Sequence, residues 1–436
     1  MDRRPEVGRS AHRLTAMRAV FVHRHFPGQF GHLVHRMAAE GWDITFVCER
    51  AEQRPSHIAI VRYMTEGHRA ATPHRHLLAT DLHVRTGTQV AAVLDNLNQR
   101  SGPPAIVIGH IGWGGLLFAK DVLPRTPMLG YCEFFYRGEG SDVGFAPGEE
   151  PALEDRMRLR MRNSAQLLTM EAIEAGLSPT RWQRHQYPAE LRRRIAVCHD
   201  GVDMALCRPQ AGARMRLPDG RVIAEGDPVV TFVARDLEPY RGFPQFMRAA
   251  ARVAARHPTA LFVVAGGDGI SYGRARDDGR SWREAMMEET GLAPERIVFL
   301  GRIPHAALVR LFQISAAHVY LTYPFVLSWS FLEAMACGCL VIGSATAPVR
   351  EVLAHGRNGL LVDFFDEEAL AETIVAALAR GRALAPLRTA ARATVAMRFA
   401  LEQCLPRQIR LIETLVERAA LRRVARQPQA RRYPKA

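Results

Sequence analysis

Residues 229–269 read VVTFVARDLEPYRGFPQFMRAAARVAARHPTALFVVAGGDG, and this stretch decides the fold class. The apolar runs 229–233 and 261–265 have the length of buried β-strands, and apolar residues recur at helical spacing across 246–256 between them. A strand, a helix and a second strand in this order predict a βαβ unit with parallel strands.

The same alternation continues in both directions along the chain. Further strands are predicted over 19–22, 44–48, 105–108, 297–300, 317–321, 341–342 and 360–362, and helices over 30–40, 90–99 and 331–337. Repeated alternation predicts an α/β protein with two Rossmann-like, doubly wound domains that face a cleft. In such sheets, ligands bind beyond the carboxyl ends of the strands.

The alternation is interrupted over residues 209–228, where glycine and proline are frequent and no periodicity is sustained, as in a linker or an exposed hairpin. Domains are therefore predicted over 18–208 and 229–387, followed by helices over 388–424, with basic tails over 1–17 and 425–436. Apolar residues at three- and four-residue steps from Ile409 predict one packed face on the last helix, which Pro406 should begin or kink.

The composition is that of a soluble globular protein, with 48% hydrophobic and 23% charged residues among 436. Apolar runs are far shorter than the about 20 residues that cross a bilayer, and residues 1–17 lack the apolar core of a signal peptide. The seven cysteines form no CxxC pair, so buried free thiols in the reducing cytoplasm are predicted rather than disulfides or zinc sites.

Part of the net charge of +14 is concentrated at the C-terminus, where six basic residues lie between 422 and 435 and no acidic residue follows Glu417. One interpretation is a solvated, disordered end. The other is attraction to anionic lipid headgroups, at about 1 kcal/mol per charge, which would place a cytoplasmic protein at the inner face of the membrane. Nucleic acid is not expected as a partner, because Tyr433 is the one stacking aromatic of this segment.

Polar and glycine residues follow several strands of the second half. Arg235 and Arg241 could hold a diphosphate bidentately, with two surface arginines as the alternative interpretation. The glycines Gly266, Gly267 and Gly269 would let a nucleotide approach the backbone.

A helix is predicted to begin near Ser328, Trp329 and Ser330, so its free N–H groups could hold phosphate oxygens. Glu333 follows near the apolar start of this helix, where an unbonded carboxylate is costly. It is interpreted either as a ligand of ribose hydroxyls or as a capping carboxylate.

In the first half, Pro27, Gly28 and Gln29 follow the first strand, and the glycine-rich segment 109–115 with His110 follows a later one. The glycines would let a substrate or the other domain approach the backbone. His110 could donate a hydrogen bond to a sugar or phosphate, although a lone histidine is more often structural. Glu139 lies in a polar segment, 136–142, that could line an acceptor site.

No metal-ligand spacing is present, and neither are the motifs GxxxxGK[ST], GxSxG and HExxH. This argues against a P-loop NTPase, an α/β-hydrolase and a zinc protease. The charge of a leaving diphosphate would then be met by arginine rather than by a divalent ion.

These segments occur in the order of a known family. The blocks SFLEAMACG over 330–338, LVIG over 340–343, REVL over 350–353 and HGRNGLLV over 355–362, together with DGVD over 200–203 and Pro209, are the most specific. On these residues the sequence resembles the retaining glycosyltransferases of the GT-B fold, family 4 (glycosyltransferase group 1 type), over residues 18 to about 420.

The resemblance implies a role for each matching residue. Arg235 and Arg241 would hold the donor diphosphate, and Glu333 would bind the ribose. The 266–269 turn would approach the nucleotide, His110 would lie near the donor sugar, and the loop at Gly28 would lie near the phosphate and the acceptor. The C-terminal helix would cross back onto the first domain.

Two positions depart from the family pattern. Arg241 stands where the family usually has lysine, which keeps the charge but changes the geometry. The family signature has two glutamates separated by seven residues, and Phe325 stands at the earlier one, which in the family touches hydroxyls of the donor sugar. The donor sugar is therefore expected to be held differently or to be an unusual one.

The predicted function is a retaining, metal-independent transfer of a sugar from a nucleoside diphosphate sugar, with no further cofactor, to an acceptor hydroxyl. The acceptor would be a glycan, a lipid-linked molecule or a small molecule, in polysaccharide or glycoconjugate synthesis. A cofactor-dependent phosphorylase is disfavoured because Lys120 and Lys435, the two lysines, lie outside the donor-site motifs. An epimerase of the same fold and a non-catalytic nucleotide-sugar-binding subunit are competing hypotheses.

Overall fold

The computed structural model describes residues 16–65 and 74–425, so the predicted tails over 1–17 and 425–436 lie almost entirely outside the described residues. The strands of the first domain are β1 (Arg18–Val22), β2 (His25–Phe26), β3 (Asp43–Cys48), β4 (Arg50–Ala51), β5 (Ala59–Arg62), β6 (Ile106–His110), β7 (Met128–Tyr131), β8 (Ala175–Ser178) and β9 (Ile195–Val197). Seven of them form a parallel sheet in the order β5-β3-β1-β6-β7-β8-β9, and β2 pairs with β4 beside it.

The helices of the first domain are α1 (Gly31–Ala39), α2 (Leu78–Ser101), α3 (Ala119–Val122), α4 (Leu153–Arg162), α5 (Ser164–Ala172), α6 (Arg181–Gln186) and α7 (Ala189–Arg192). They cover both faces of the sheet. Along β1, Phe21 packs against the α1 side, whereas Val20 and Val22 pack with Val90 of α2 on the other side. Successive strand residues point to opposite faces, which explains why the strand is apolar throughout.

The second domain contains an antiparallel hairpin and a six-stranded parallel sheet. The strands are β10 (Arg214–Arg216), β11 (Val222–Ala224), β12 (Val229–Asp236), β13 (Leu261–Gly267), β14 (Ile297–Phe299), β15 (Ala317–Tyr320), β16 (Val341–Ser344) and β17 (Leu360–Val362). The sheet order is β14-β13-β12-β15-β16-β17. The helices are α8 (Phe243–Arg256), α9 (Trp282–Thr290), α10 (His305–Ile314), α11 (Trp329–Ala336), α12 (Ala347–Arg350), α13 (Glu367–Arg380) and α14 (Ala385–Arg398).

The two sheets confirm the predicted α/β architecture. In both, the strand order reverses next to the first strand of the sheet, between β1 and β6 and between β12 and β15. The crevice at such a switch point is where doubly wound sheets bind ligands. The fold therefore singles out the loops after these four strands.

The hairpin β10–β11 occupies the segment predicted as a linker or an exposed hairpin. Leu217 and Ile223 are buried and pack with Val263 of the second sheet and Leu311 of α10. The segment therefore forms a hairpin, as one of the two interpretations predicted, and most of its residues are exposed. Its few inward-facing apolar residues anchor it to the core of the second domain. Its apolar residues are too few and too widely spaced to show a period in the sequence.

The last helix, α15 (Leu401–Ala425), returns to the first domain. Ile409 and Ile412 are buried in the same cluster as Phe21 of β1. Pro406 lies inside this helix rather than at its start. Across the described residues, none of the helices combines the length and apolar character needed to cross a membrane.

Candidate active site

A hydrogen-bonded network of three side chains lies at the carboxyl ends of the first-domain strands. The backbone N–H of Gly112 donates to His110 Nδ1 at 3.0 Å, so Nε2 carries the proton and donates to Glu133 Oε2 at 3.1 Å. Gln29 Nε2 donates to the other oxygen, Glu133 Oε1, at 2.7 Å. The network joins the loops that follow β1, β6 and β7, and it fixes the orientation of His110.

The electrostatics of this network favour an ionised Glu133 and a neutral His23. Burial would raise the pKa of Glu133, but hydrogen bonds from His110 and Gln29 bring it below its ordinary value. Burial and the neighbouring His110 lower the pKa of His23 to about 3. The His23 ring also explains Gly28, whose φ is +53° and whose Cβ, if present, would lie 2.4 Å from that ring. A side chain at Gly28 is excluded twice, by backbone conformation and by space.

The glycines of segment 109–115 pack inside the first domain, in contrast to the prediction that they admit a substrate or the other domain. A Cβ on Gly114 would lie 2.4 Å from the backbone oxygen of His83, and one on Gly115 would lie 2.8 Å from Val22. A glycine in the sequence indicates that another group approaches the backbone closely, but it does not identify that group. In this protein, helix α2 approaches Gly114 and strand β1 approaches Gly115.

A cavity of about 480 Å³ lies in the first domain between the segment that follows β7 and helix α4, and the exposed Glu139 lines it. Tyr136, Arg137, Arg156 and Arg160 also line it. A further arginine, Arg162, places its guanidinium 3.9 Å from the centre of the Tyr136 ring. The cavity therefore has a mixed polar and apolar lining with an excess of positive charge.

In the second domain, Arg241 lies beneath the switch point between β12 and β15. It is 7% exposed, and its Nη1 donates to Thr322 Oγ1 at 2.7 Å and to the carbonyl of Val326 at 3.1 Å. Its guanidinium also lies 5.2 Å from the centre of the Tyr272 ring. All these partners are neutral, and no carboxylate in 16–65 or 74–425 pairs with Arg241.

Arg235 differs from Arg241 in being exposed. His25 of the first domain has a lowered pKa because of burial and, to a smaller extent, the charges of Arg24, Arg50 and Arg235. Arg235 therefore faces the first domain across the cleft. Arg235 forms no ion pair within the part of the chain that the structure describes.

The glycines at the end of β13 and just after it pack closely against the end of β12, where the protein has an ion pair of its own. Arg302 donates to Asp236 at 2.7 Å, and a Cβ on Gly267 would lie 2.6 Å from the same carboxylate oxygen. A Cβ on Gly269 would lie 3.2 Å from that oxygen, and one on Gly266 would lie 2.8 Å from the carbonyl of Ala234. Close packing against residues 234–237 thus accounts for these glycines without a ligand, and the approach of a nucleotide to them stays a prediction.

Phe325 packs in an aromatic cluster between the domains. Its ring lies 4.5 Å from that of Phe134 of the first domain and 5.1 Å from those of Tyr240 and Tyr272, centre to centre. The Arg241 guanidinium lies 5.8 Å from the Phe325 ring centre. Phe325, at the position where the resemblance implies a carboxylate, is therefore part of an apolar contact beside the buried Arg241.

The start of α11 is tied to the first domain through Asp200. Trp329 Nε1 and the hydroxyl of Tyr131 donate to its two oxygens at 2.9 Å and 2.8 Å, and burial raises the pKa of this carboxyl. Ser328 and Ser330 contact each other through their hydroxyls at 2.9 Å. No side chain caps the helix.

Glu333 lies one turn into α11 and is hydrogen-bonded to His305 Nε2, the first residue of α10, at 2.8 Å. The carboxylate therefore has a partner from a neighbouring helix and does not cap its own.

Sequence reasoning missed Glu133, Asp200 and His305 as site residues. Asp200 lies in the quoted DGVD block, and Glu133 follows the short apolar run of β7, so both had a local signal. His305 had none, because only the fold brings it to Glu333.

Solved structures of glycosyltransferases share this architecture. Sucrose-phosphate synthase from Thermosynechococcus elongatus superposes with a TM-score of 0.70 at 19% identity, over 92% of this chain and all of that one. HepE from Anabaena, solved in complex with UDP, superposes with a TM-score of 0.65 at 14% identity, over 91% of this chain and all of that one. Together with the two facing sheets, these likenesses define the GT-B fold class.

The sequence then defines the family. The model of the glycosyl transferase family 4 group matches residues 40–207, and that of the glycosyl transferases group 1 matches residues 215–394. The chain belongs to the family 4 (group 1) glycosyltransferases. The D-inositol 3-phosphate glycosyltransferase of Mycobacterium sp. strain JLS is 32% identical over 192 residues, which is 44% of this chain and 40% of that relative. The match thus spans less than half of the relative's length.

Proposed function

We propose that the protein transfers a sugar from a nucleoside diphosphate sugar to an acceptor hydroxyl, with retention at the anomeric carbon. The observation that carries the proposal is Arg241, a buried guanidinium whose hydrogen bonds all go to neutral oxygens. A buried charge without a counter-ion is costly. A diphosphate at the switch point would supply the counter-ion, and the exposed Arg235 would contact it from the rim.

The carboxylates near the cleft support a role for arginine in stabilising the leaving group. Glu133 accepts hydrogen bonds from His110 and Gln29, and Glu238 accepts them from backbone N–H groups, including that of Gly273 at 2.8 Å. Both are already engaged, which favours a path without a covalent bond between enzyme and sugar. In this path Arg235 and Arg241 neutralise the departing diphosphate, and no divalent ion is needed. Retention follows from the family resemblance.

The cavity lined by Glu139 is the proposed acceptor site. Its volume of about 480 Å³ fits a small-molecule site of roughly 300–1,000 Å³. Arg137, Arg156 and Arg160 favour an acceptor with an anionic group, and the name of the mycobacterial relatives includes an inositol phosphate. Glycan and lipid-linked acceptors carrying a phosphate or carboxylate would meet the same requirement.

Arg241→Ala tests the proposal, with sugars of UDP, GDP and ADP as donors and proton NMR to identify the anomer formed. We expect turnover to fall by roughly 100-fold or more, as when one charge-stabilising donor is removed from an active site. Arg241→Lys should recover part of the activity, and Arg380→Ala, an exposed arginine of the same domain, serves as the control. Equal turnover of wild type and Arg241→Ala would remove Arg241 from the mechanism.

A non-catalytic nucleotide-sugar-binding subunit is the second candidate, and Phe325 favours it. Its ring fills the position of a sugar-binding carboxylate and packs on Phe134. Calorimetry that finds tight donor binding, with neither transfer nor hydrolysis over a broad acceptor panel, would support this function. Turnover with any acceptor would exclude it.

The basic tail provides a further proposal, namely association with an anionic membrane surface at the inner face. Helix α15 ends at Ala425, so deletion of 426–436 leaves the described helix intact. We expect this deletion to weaken binding to phosphatidylserine-containing liposomes, and most strongly at low salt. Unchanged binding would show that the tail is not the anchor.

A further inference from the structure

Three side chains of metal-ligand type, from three separate parts of the chain, meet beside the candidate donor site. The ligand atoms of Cys207, His305 and Glu333 all lie within 4.8 Å of one another. Cys207 precedes the hairpin of the second domain, His305 begins α10, and Glu333 lies in α11. Only the fold brings them together, so the absence of a metal-ligand spacing in the sequence could not exclude this cluster.

The surroundings of the cluster are those of a metal site with an entry path. Cys207 is buried and the Glu333 side chain is 15% exposed, whereas that of His305 is 50% exposed and opens to solvent.

The chemistry of the donor set selects the ion. A thiolate, an imidazole and a carboxylate are ligands of Zn²⁺, whereas Mg²⁺ and Ca²⁺ prefer oxygen alone. The two anionic ligands would balance the charge of a divalent cation, which lowers the cost of placing it in a partly buried position. Bond lengths of about 2.0–2.3 Å imply ligand atoms about 3.3–3.6 Å apart in a tetrahedral site. Side-chain rotations that move the ligand atoms by about 1 Å would therefore complete the site.

We propose that Cys207 Sγ, His305 Nε2 and Glu333 Oε1 form a Zn²⁺ site, with its fourth position taken by water. Binding replaces the hydrogen bond between His305 and Glu333 by two bonds to the metal. The Cys207 thiol and His305 Nε2 both give up their protons, and His305 binds as the neutral imidazole that is protonated on Nδ1. Because the ion engages Glu333, Zn²⁺ and the donor nucleotide exclude each other. That consequence rests on the proposed function, whereas the metal site does not.

Cobalt substitution tests the site in the full-length, reduced protein after removal of metal with a chelator. We expect wild type to show the visible bands of tetrahedral Co²⁺ and a thiolate charge-transfer band, which Cys207→Ser loses. Zn²⁺ affinity, measured against a chromophoric chelator, should fall at least about ten-fold in His305→Gln. Cys198→Ser and His185→Gln, which remove a half-buried thiol and an exposed imidazole elsewhere, should keep both properties.

The outcomes separate the site from the proposed function. A charge-transfer band that persists in Cys207→Ser, or an unchanged Zn²⁺ affinity in His305→Gln, overturns the site. Titration of UDP into the metal-free protein, followed by thermal shift, tests nucleotide binding by itself. If UDP does not stabilise the metal-free protein, that result counts against UDP as the nucleotide of the proposed donor. UDP affinity that is equal with and without Zn²⁺ overturns the exclusion, and with it the ribose role of Glu333, but leaves the metal site standing.

Discussion

At the scale of single residues, the roles in this protein depend on partners that lie far away in the sequence. Glu133 is ionised because Gln29, 104 positions away, and His110 hold its two oxygens. The carboxylate in turn orients the His110 ring whose other nitrogen accepts from Gly112. A glutamate buried at this position without the two donors would have a raised pKa instead, and it would not orient a histidine.

Glu133→Gln tests this network through the pH dependence of stability. Because the folded-state pKa of Glu133 is lowered, its contribution is fully present above the unfolded value of about 4.3 and is lost as the pH falls through the folded pKa. We expect the substitution to lower the free energy of unfolding by about 1–3 kcal/mol near neutral pH. The difference from wild type should shrink on acidification below about pH 4, measured by urea unfolding at each pH.

The exposed Glu139 offers the matched control, because Glu139→Gln changes the same functional group without a buried partner. A Glu133→Gln deficit that keeps its full size at low pH would show that packing, rather than charge, makes the contribution.

Sequence reasoning at this scale singled out Arg241 and Glu333 as candidates, because motif position is a local property, and their roles stay predictions. It did not identify His305 or the aromatic partners of Phe325. Those contacts join α10 to α11 and one domain to the other. It also misjudged the glycines of 109–115, whose close neighbours are strands and helices of their own domain.

At the scale of elements, the sequence predicted those strands and helices that have one uniformly apolar face or, for strands, two. β1 and β12 are buried on both sides and read as continuous apolar runs. β8 has the sequence AGLS and β10 has RMR, which carry no such signal, and both form through pairing with neighbours. Tertiary context decided these elements, as it does for short strands in general.

Helix α15 supplies the prediction at this scale. Ile412 is fully buried against the first-domain core although it is far from that domain in the sequence. We expect Ile412→Ala to destabilise the protein by about 2–5 kcal/mol, because it leaves a cavity in a packed interface. Leu421→Ala, at a 69% exposed position of the same helix, should change stability by less than about 0.5 kcal/mol. Equal effects of the two changes in thermal or urea unfolding would contradict the packing described for α15.

At the scale of the whole molecule, the cleft is closed by contacts that cross between the domains. Glu351 of the second domain accepts from the backbone N–H groups of Arg181 and Trp182 at 2.9 Å and 2.7 Å, which places a carboxylate at the start of α6. The Tyr240 hydroxyl donates to Asp142 at 2.7 Å. These polar contacts flank the aromatic contact of Phe134 with Phe325 and hold the candidate donor and acceptor sites next to each other.

Glu351→Gln should shift the molecule towards an open arrangement. Hydrogen bonds to a charged group contribute about 1.5–3 kcal/mol, and each 1.4 kcal/mol lost changes the closed-to-open ratio about ten-fold. We expect a larger radius of gyration by small-angle X-ray scattering than in wild type, with unchanged secondary structure by circular dichroism. Glu372→Gln, an exposed glutamate on the same domain, is the control, and Tyr240→Phe should act in the same direction as Glu351→Gln. Identical scattering from wild type and both interdomain variants would show that the remaining interdomain contacts suffice to keep the domains together. Phe325→Ala would then test the aromatic contact among them.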